Sequence, residues 1–182
     1  IDVCAAPGGK SILLQSLGFN VLAIDKSQNQ INKFKENLNR LNLKINIQKL
    51  DFLKKKFTDK FNSILLDAPC SALGTFRRNP DVTVKIDPSQ IKKHQKIQIQ
   101  MLEKSLKMLN NGGFIVYIVC SFHPFETIDV IDKIIQKHKN VKIHGIETDK
   151  MIKRQNGYFI NPLSFKDIGG SDIFFVSVIE KI

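Results

Sequence analysis

Tryptophan is absent from this chain, tyrosine occurs twice, and cysteine appears only as Cys4, Cys70 and Cys120. Widely spaced, odd-numbered cysteines without a CxxC pair exclude a disulfide scaffold and point to a reducing compartment, the cytoplasm. Cys120 and His123 stand at the spacing of half a zinc site, but no second half follows, so no metal is expected. No apolar run reaches the roughly 20 residues that cross a bilayer, which argues against a membrane partner. A secretory leader is also missing. Ile1 already lies in a strand-like segment, inside a motif, so the sequence reads as a piece whose upstream part is absent. Acidic side chains are in deficit, 17 against 28 Lys and Arg, for a net charge of +11. That field suits a polyanion such as nucleic acid. Enrichment of Ile, Lys and Asn along the whole chain explains the same charge without a partner, so charge alone decides nothing. The densest run, Lys54-Lys55-Lys56, reads by default as a solvated face.

What is present is a regular alternation. A length of 182 residues suits one domain with one core. Apolar runs at 1–5, 21–24, 45–50, 63–66 and 114–119 read as strands, each followed by a polar or glycine-rich stretch. Between them lie helical patterns: a short one with Ile12, Leu13 and Leu17 on one side, and one capped by Ser27 with Ile31, Phe34, Leu38 and Leu41 at helical period. A long helix opens at Pro88 and runs to about Leu109, where Asn110-Asn111-Gly112-Gly113 breaks it. A further helix over 125–138 and strand-like segments at 141–147 and 172–179 complete the chain. Alternating strands and helices predict an α/β fold, a doubly wound, mostly parallel sheet with an antiparallel pair at one edge.

In such sheets ligands bind beyond the carboxyl ends of the strands. Gly8 and Gly9, Asp25, Asp51, Asp67 with Cys70, and Cys120 each follow a different strand. The segment Cys4-Ala5-Ala6-Pro7-Gly8-Gly9-Lys10 offers small residues where backbone must approach a ligand, and then a helix N-terminus. A phosphate-binding P-loop would need a glycine where Cys4 stands, which excludes that class. Asp25 suits the two hydroxyls of a ribose, or a helix-stabilising charge. Asp51 suits an adenine edge, or a turn. Two cysteines after adjacent strand ends, one beside Asp67, suggest reactive thiols, which a nicotinamide oxidoreductase would not explain. Cytosine C5 accepts a methyl group only after a thiolate adds at C6, and the chemistry alone does not say which cysteine attacks.

Asp2-to-Lys10, Asp67-to-Thr75 (DAPCSALGT), Arg77-Arg78-Asn79-Pro80-Asp81 and Tyr117-to-Ser121 together closely resemble the Sun/RsmB family of RNA cytosine-5 methyltransferases. The resemblance covers nearly the whole chain. It implies a Rossmann-like methyltransferase fold, S-adenosylmethionine as cofactor, and residues 1–182 as the catalytic domain, with RNA-recognising sequence upstream. It further implies that Cys4, Ala5, Ala6, Pro7, Gly8, Gly9, Lys10, Asp25, Asp51 and Asp67 line the cofactor pocket. Asp67 would also hold the cytosine edge, and Lys10 would help position the base. Cys120 would be the nucleophile, with Cys70 assisting release. The chain departs from the family at Val119, where threonine is usual. The stretch 77–81 is most like the bacterial branch acting on 16S rRNA, which makes RNA the expected partner of a monomer. Arg77, Arg78 and the lysines are candidate phosphate contacts. Competing readings are a methyltransferase acting on tRNA or DNA, and a non-catalytic RNA-binding ribosome assembly factor.

Overall fold

A computed structural model describes residues 1–182. In chain order the elements are β1 (Asp2–Val3), α1 (Gly9–Ser16), β2 (Leu22–Asp25), α2 (Gln28–Leu41), β3 (Asn46–Lys49) and β4 (Phe61–Asp67). They continue with α3 (Val82–Lys85), α4 (Pro88–Met108), β5 (Leu109–Val119), α5 (Ile128–Lys137), β6 (Val141–Ile143), β7 (Ile152–Arg154), β8 (Gly157–Ile160) and β9 (Phe174–Lys181). The sheet runs β3-β2-β1-β4-β5-β9-β8-β7, with β6 also paired to β9. Strands β1 to β5 are mutually parallel, and β9 joins β5 antiparallel. The chain moves outward from β1 to β3, then returns to place β4 on the other side of β1. The point of reversal therefore lies between β1 and β4, where a doubly wound sheet opens a ligand crevice.

Alternation within the strands sorts side chains to two faces. Ile24, Ile64, Leu66, Ile115 and Val119 join Met101 and Leu102 of α4 and Val130, Ile131 and Ile134 of α5 in the main core. Ala23 points the other way, into a small cluster with Phe34 and Leu38 of α2. No helix is long and apolar enough to cross a membrane.

The structure corrects several expectations. Leu13 and Leu17 do not face inward: they are exposed, and the buried residue of α1 is Ser11, which donates to Asp2 beneath it. Leu41 is likewise exposed. Leu109 belongs to β5, not to the long helix. Residues 110–113 bulge between the pairs Phe61–Leu109 and Ser63–Phe114; the glycines bend the chain there without ending the element. The predicted edge pair forms, as β6 on β9, but β9 is interior because the β7–β8 hairpin extends the sheet. Helix α5 starts at Ile128, because residues Pro124–Glu126 wind into a separate 3-10 turn.

Candidate active site

The ends of β1, β2, β3 and β4 converge on two cavities that share Cys4 and Asp67. One, of about 340 Å³, is mostly apolar, with Ile24, Leu50, Phe52, Ile97 and Met101 around Asp25 and Asp51. The other, of about 280 Å³, is lined by Asp2, Ala5, Ala6, Pro7, Gly9 and Lys10. Gly8 caps α1 at φ 101°, and a Cβ there would lie 2.0 Å from the Phe34 ring. Glycine is therefore required both by conformation and by the close approach of α2.

Asp25 accepts from the Ser27 and Ala6 N–H groups at 2.8 and 3.2 Å, so it ties the first loop to the second while one edge faces the apolar cavity. Asp51 accepts from Leu53 N–H at 3.0 Å in a turn and faces the same cavity. The structural reading of both acids is met, and both also border the apolar cavity. Lys10 Nζ donates to Asp67 Oδ2 at 2.7 Å, joining the glycine-rich turn to the end of β4.

Asp2 was not among the expected cofactor residues. It is buried, accepts from Ser11 Oγ at 2.5 Å, and its Oδ1 has no hydrogen-bond partner. Burial above all, with Asp67 nearby, lifts its carboxyl to about 6, against the pull of Ser11 and Lys10. A buried carboxylate oxygen lacking a donor, at the wall of a ligand-sized cavity, fits the ammonium of an amino acid. The apolar cavity, flanked by two acids, fits an adenosine. Together the donor set suits S-adenosylmethionine.

The two other cysteines line neither cavity and follow the ends of the adjacent strands β4 and β5. Cys120 follows β5 directly, Cys70 stands three residues beyond Asp67, and their Sγ atoms are 3.4 Å apart. Hydrogen bonding between them pulls the pair in opposite directions. It holds the proton on Cys70, whose thiol burial also pushes up, with Glu126 adding to the effect. The same bond lowers Cys120 against its burial and the Asp67 charge, with smaller help from its own backbone amide and from Lys10. Cys4 is pushed up to about 12 by burial, then by Asp25 and Asp67, which leaves it inert. The residues alone left the choice between Cys70 and Cys120 open; the structure adds that Glu126 lies near Cys70, and Lys10 and Asp67 near Cys120.

A cleft of about 600 Å³ opens beside Cys70, lined by Arg78, Asn79, Lys85, Gln90 and His94 among others. Arg78 Nε is committed to Asp172 at 2.6 Å, which pins this loop to the approach to β9. Arg77 is exposed. Lys54, Lys55 and Lys56 lie elsewhere, in a separate groove with Lys60, Lys104 and Lys107. The structure therefore does not bring them to the thiols. Gly74 N–H donates to the Cys120 carbonyl at 2.9 Å, and Ile173 N–H to that of Gly74, also at 2.9 Å.

A nucleotide-sized crevice at the strand reversal, with Asp25, Asp51 and Asp67 at or just beyond the ends of three strands and Asp2 within β1, defines a Rossmann-like methyltransferase whose cofactor is S-adenosylmethionine. The sequence profile described as 16S rRNA methyltransferase RsmB/F matches residues 1–179, and the chain belongs to that family. It is 32% identical over its whole length to ribosomal RNA small subunit methyltransferase B of Photorhabdus laumondii, of which it spans 42%. It is 35% identical, over 86% of its length, to the protein of the same name from Serratia proteamaculans, of which it spans 38%. Among solved structures, that of NSun6 from Pyrococcus horikoshii with SFG matches 99% of the chain at TM-score 0.83 and 28% identity, over 47% of that protein.

Proposed function

We propose that this chain transfers a methyl group from S-adenosylmethionine to C5 of a cytosine in 16S rRNA through a covalent adduct between Cys120 and C6. The observation that carries the reading is the pair of sulfurs 3.4 Å apart beyond the adjacent ends of β4, which carries Asp67, and β5. When bound, S-adenosylmethionine supplies an electrophilic sulfonium methyl. Asp2 and the glycine-rich turn hold its amino-acid end, Asp25 and Asp51 its nucleoside. Asp67, steadied by Lys10, receives the cytosine edge. The Cys120 thiolate adds to C6, and the former C5–C6 double bond supplies the electron pair that takes the methyl, the methyl–sulfur bond breaking with its electrons to leave S-adenosylhomocysteine. Loss of the C5 proton to a base then restores that double bond and expels Cys120 as thiolate. Cys70 assists this release from its place against Cys120.

Methylation of 16S rRNA, tRNA and DNA with labelled cofactor, followed by nucleoside analysis, tests the reading. Label is expected in 5-methylcytosine of 16S rRNA. Cys120→Ser should abolish incorporation, and Cys70→Ala should accumulate a protein–RNA complex stable to denaturing gels. Complex formed by Cys120→Ser would reverse the two roles, and binding of RNA without turnover would favour an assembly factor.

A further inference from the structure

Each cysteine of the pair is followed by a serine, and both serines end on one carboxylate. Glu126, in the 3-10 turn before α5, has no solvent exposure. Its Oε1 accepts from Ser71 N–H at 2.8 Å, and its Oε2 accepts from Ser71 Oγ at 2.5 Å and Ser121 Oγ at 2.7 Å. His94 Nδ1 of α4 lies 3.2 Å from Oε1, off the line of a hydrogen bond. The Glu126 carbonyl accepts from the buried Tyr117 hydroxyl at 2.7 Å, which fastens the turn to β5. A carboxylate this deep persists only where donors replace its water, and here the donors come from the two loops that carry the reactive sulfurs.

We propose that Glu126 is a positioning residue that sets the separation of the two thiols by binding Ser71 and Ser121 at once. The two loops depend on it unequally. Cys120 leaves β5 directly, and Val119 before it is paired with Phe175 of β9. Its carbonyl is further held by Gly74. Cys70 lies beyond Pro69, which has no N–H to anchor it. That arm is held by Gln98 on the Pro69 carbonyl, at 2.9 Å, and by Glu126 on Ser71. Loss of Glu126 therefore frees Cys70 while leaving Cys120 near its place. Adduct formation survives, and release of the methylated base slows. The inference rests on the reading of Cys70 as the residue that assists release.

The test uses the full chain, deproteinised 16S rRNA and labelled S-adenosylmethionine. Turnover and covalent complex on denaturing gels are followed for Glu126→Ala, Glu126→Gln, Ser71→Ala and Cys70→Ala. Glu126→Ala is expected to lower turnover by about ten-fold or more and to accumulate complex, as Cys70→Ala does. Glu126→Gln keeps an acceptor for Ser71 N–H and should recover most of the turnover. A purely structural role would instead reduce adduct and product together, without complex, and that result overturns the inference. Should Glu126→Ala not fold, Ser71→Ala removes the hydroxyl bond to Glu126 while keeping the N–H bond, and is expected to accumulate complex to a smaller extent than Cys70→Ala; no accumulation there overturns the inference equally. Complex with Cys70→Ala but with neither Ser71→Ala nor Glu126→Ala defeats the role of Glu126 alone. No complex with Cys70→Ala defeats the role of Cys70, and the inference with it.

Discussion

Asp2 shows how one buried side chain couples folding to protonation. Its folded-state value of about 6 lies above the ordinary 3.8, so the native state favours the neutral form. By linkage, the stability this proton contributes is fully present below the ordinary value and is lost as pH rises through about 6. A cation in the cleft selects the opposite form. Affinity for S-adenosylmethionine is therefore expected to weaken as pH falls below about 6, where the carboxylate is titrated. Asp2→Asn should remove this dependence and weaken binding near neutral pH by about ten-fold, the scale of one charged hydrogen bond. Calorimetric titrations across the acid range measure both effects, and a flat profile in the unaltered chain would count against the assignment. Val119 is legible at the same scale. It is fully buried and its backbone pairs with Phe175, so the usual threonine is replaced by a side chain suited to the core.

Elements were legible in the sequence wherever burial left a plain pattern, an apolar run for a strand covered on both faces or a helical period for a helix covered on one. The parallel strands, α2 and α4 follow from period and capping. Ser27 and Asp87 accept from backbone N–H groups at the starts of their helices. What escaped was set by partners distant in sequence. Leu13 and Leu17 satisfy helical spacing, yet the packing of α1 on Asp2 turns Ser11 inward instead. The β7–β8 hairpin was missed although Asn156-Gly157 is a turn signal, because its strands are only three and four residues long. Most of the candidate site was readable, since motifs lie at strand ends. Glu126 was not: only the repeated Cys-Ser pairs, Cys70-Ser71 and Cys120-Ser121, hinted at a shared acceptor. Gly74 belongs to this group too. It needs no unusual backbone angle, but a Cβ would lie 2.0 Å from the Ile173 carbonyl and 3.0 Å from that of Cys120. Gly74→Ala should cost about 2–3 kcal/mol of overpacking strain, lower Tm by roughly 5–10 °C, and impair thiol chemistry. Thermal unfolding with the complex-trapping assay checks this, and an unchanged Tm would refute the tight contact.

Across the whole molecule, charge and chemistry are arranged separately. The net charge of +11 includes a lysine-rich groove on the α4 side, away from the thiols. Within it Lys104 already donates to the Leu53 carbonyl at 3.0 Å and lies 5.2 Å from the centre of the Phe52 ring, so it braces the groove. Lys54, Lys55 and Lys56 remain exposed. If they meet RNA phosphates, affinity should fall by about ten-fold between roughly 50 and 200 mM salt, and replacing all three with alanine should flatten that slope. Equal slopes for both proteins would leave the run a solvated face. The reactive groups, by contrast, all occupy one rim of the sheet. The bulge at 110–113 occupies the other rim, near the start of β5, the strand that leads to Cys120. Asn110, Asn111 and Gly112 are exposed there, on backbone already looped out of register. That bulge is accordingly the place to graft a fluorophore or an affinity handle, because an added loop would extend into solvent a full strand length from the sulfur pair.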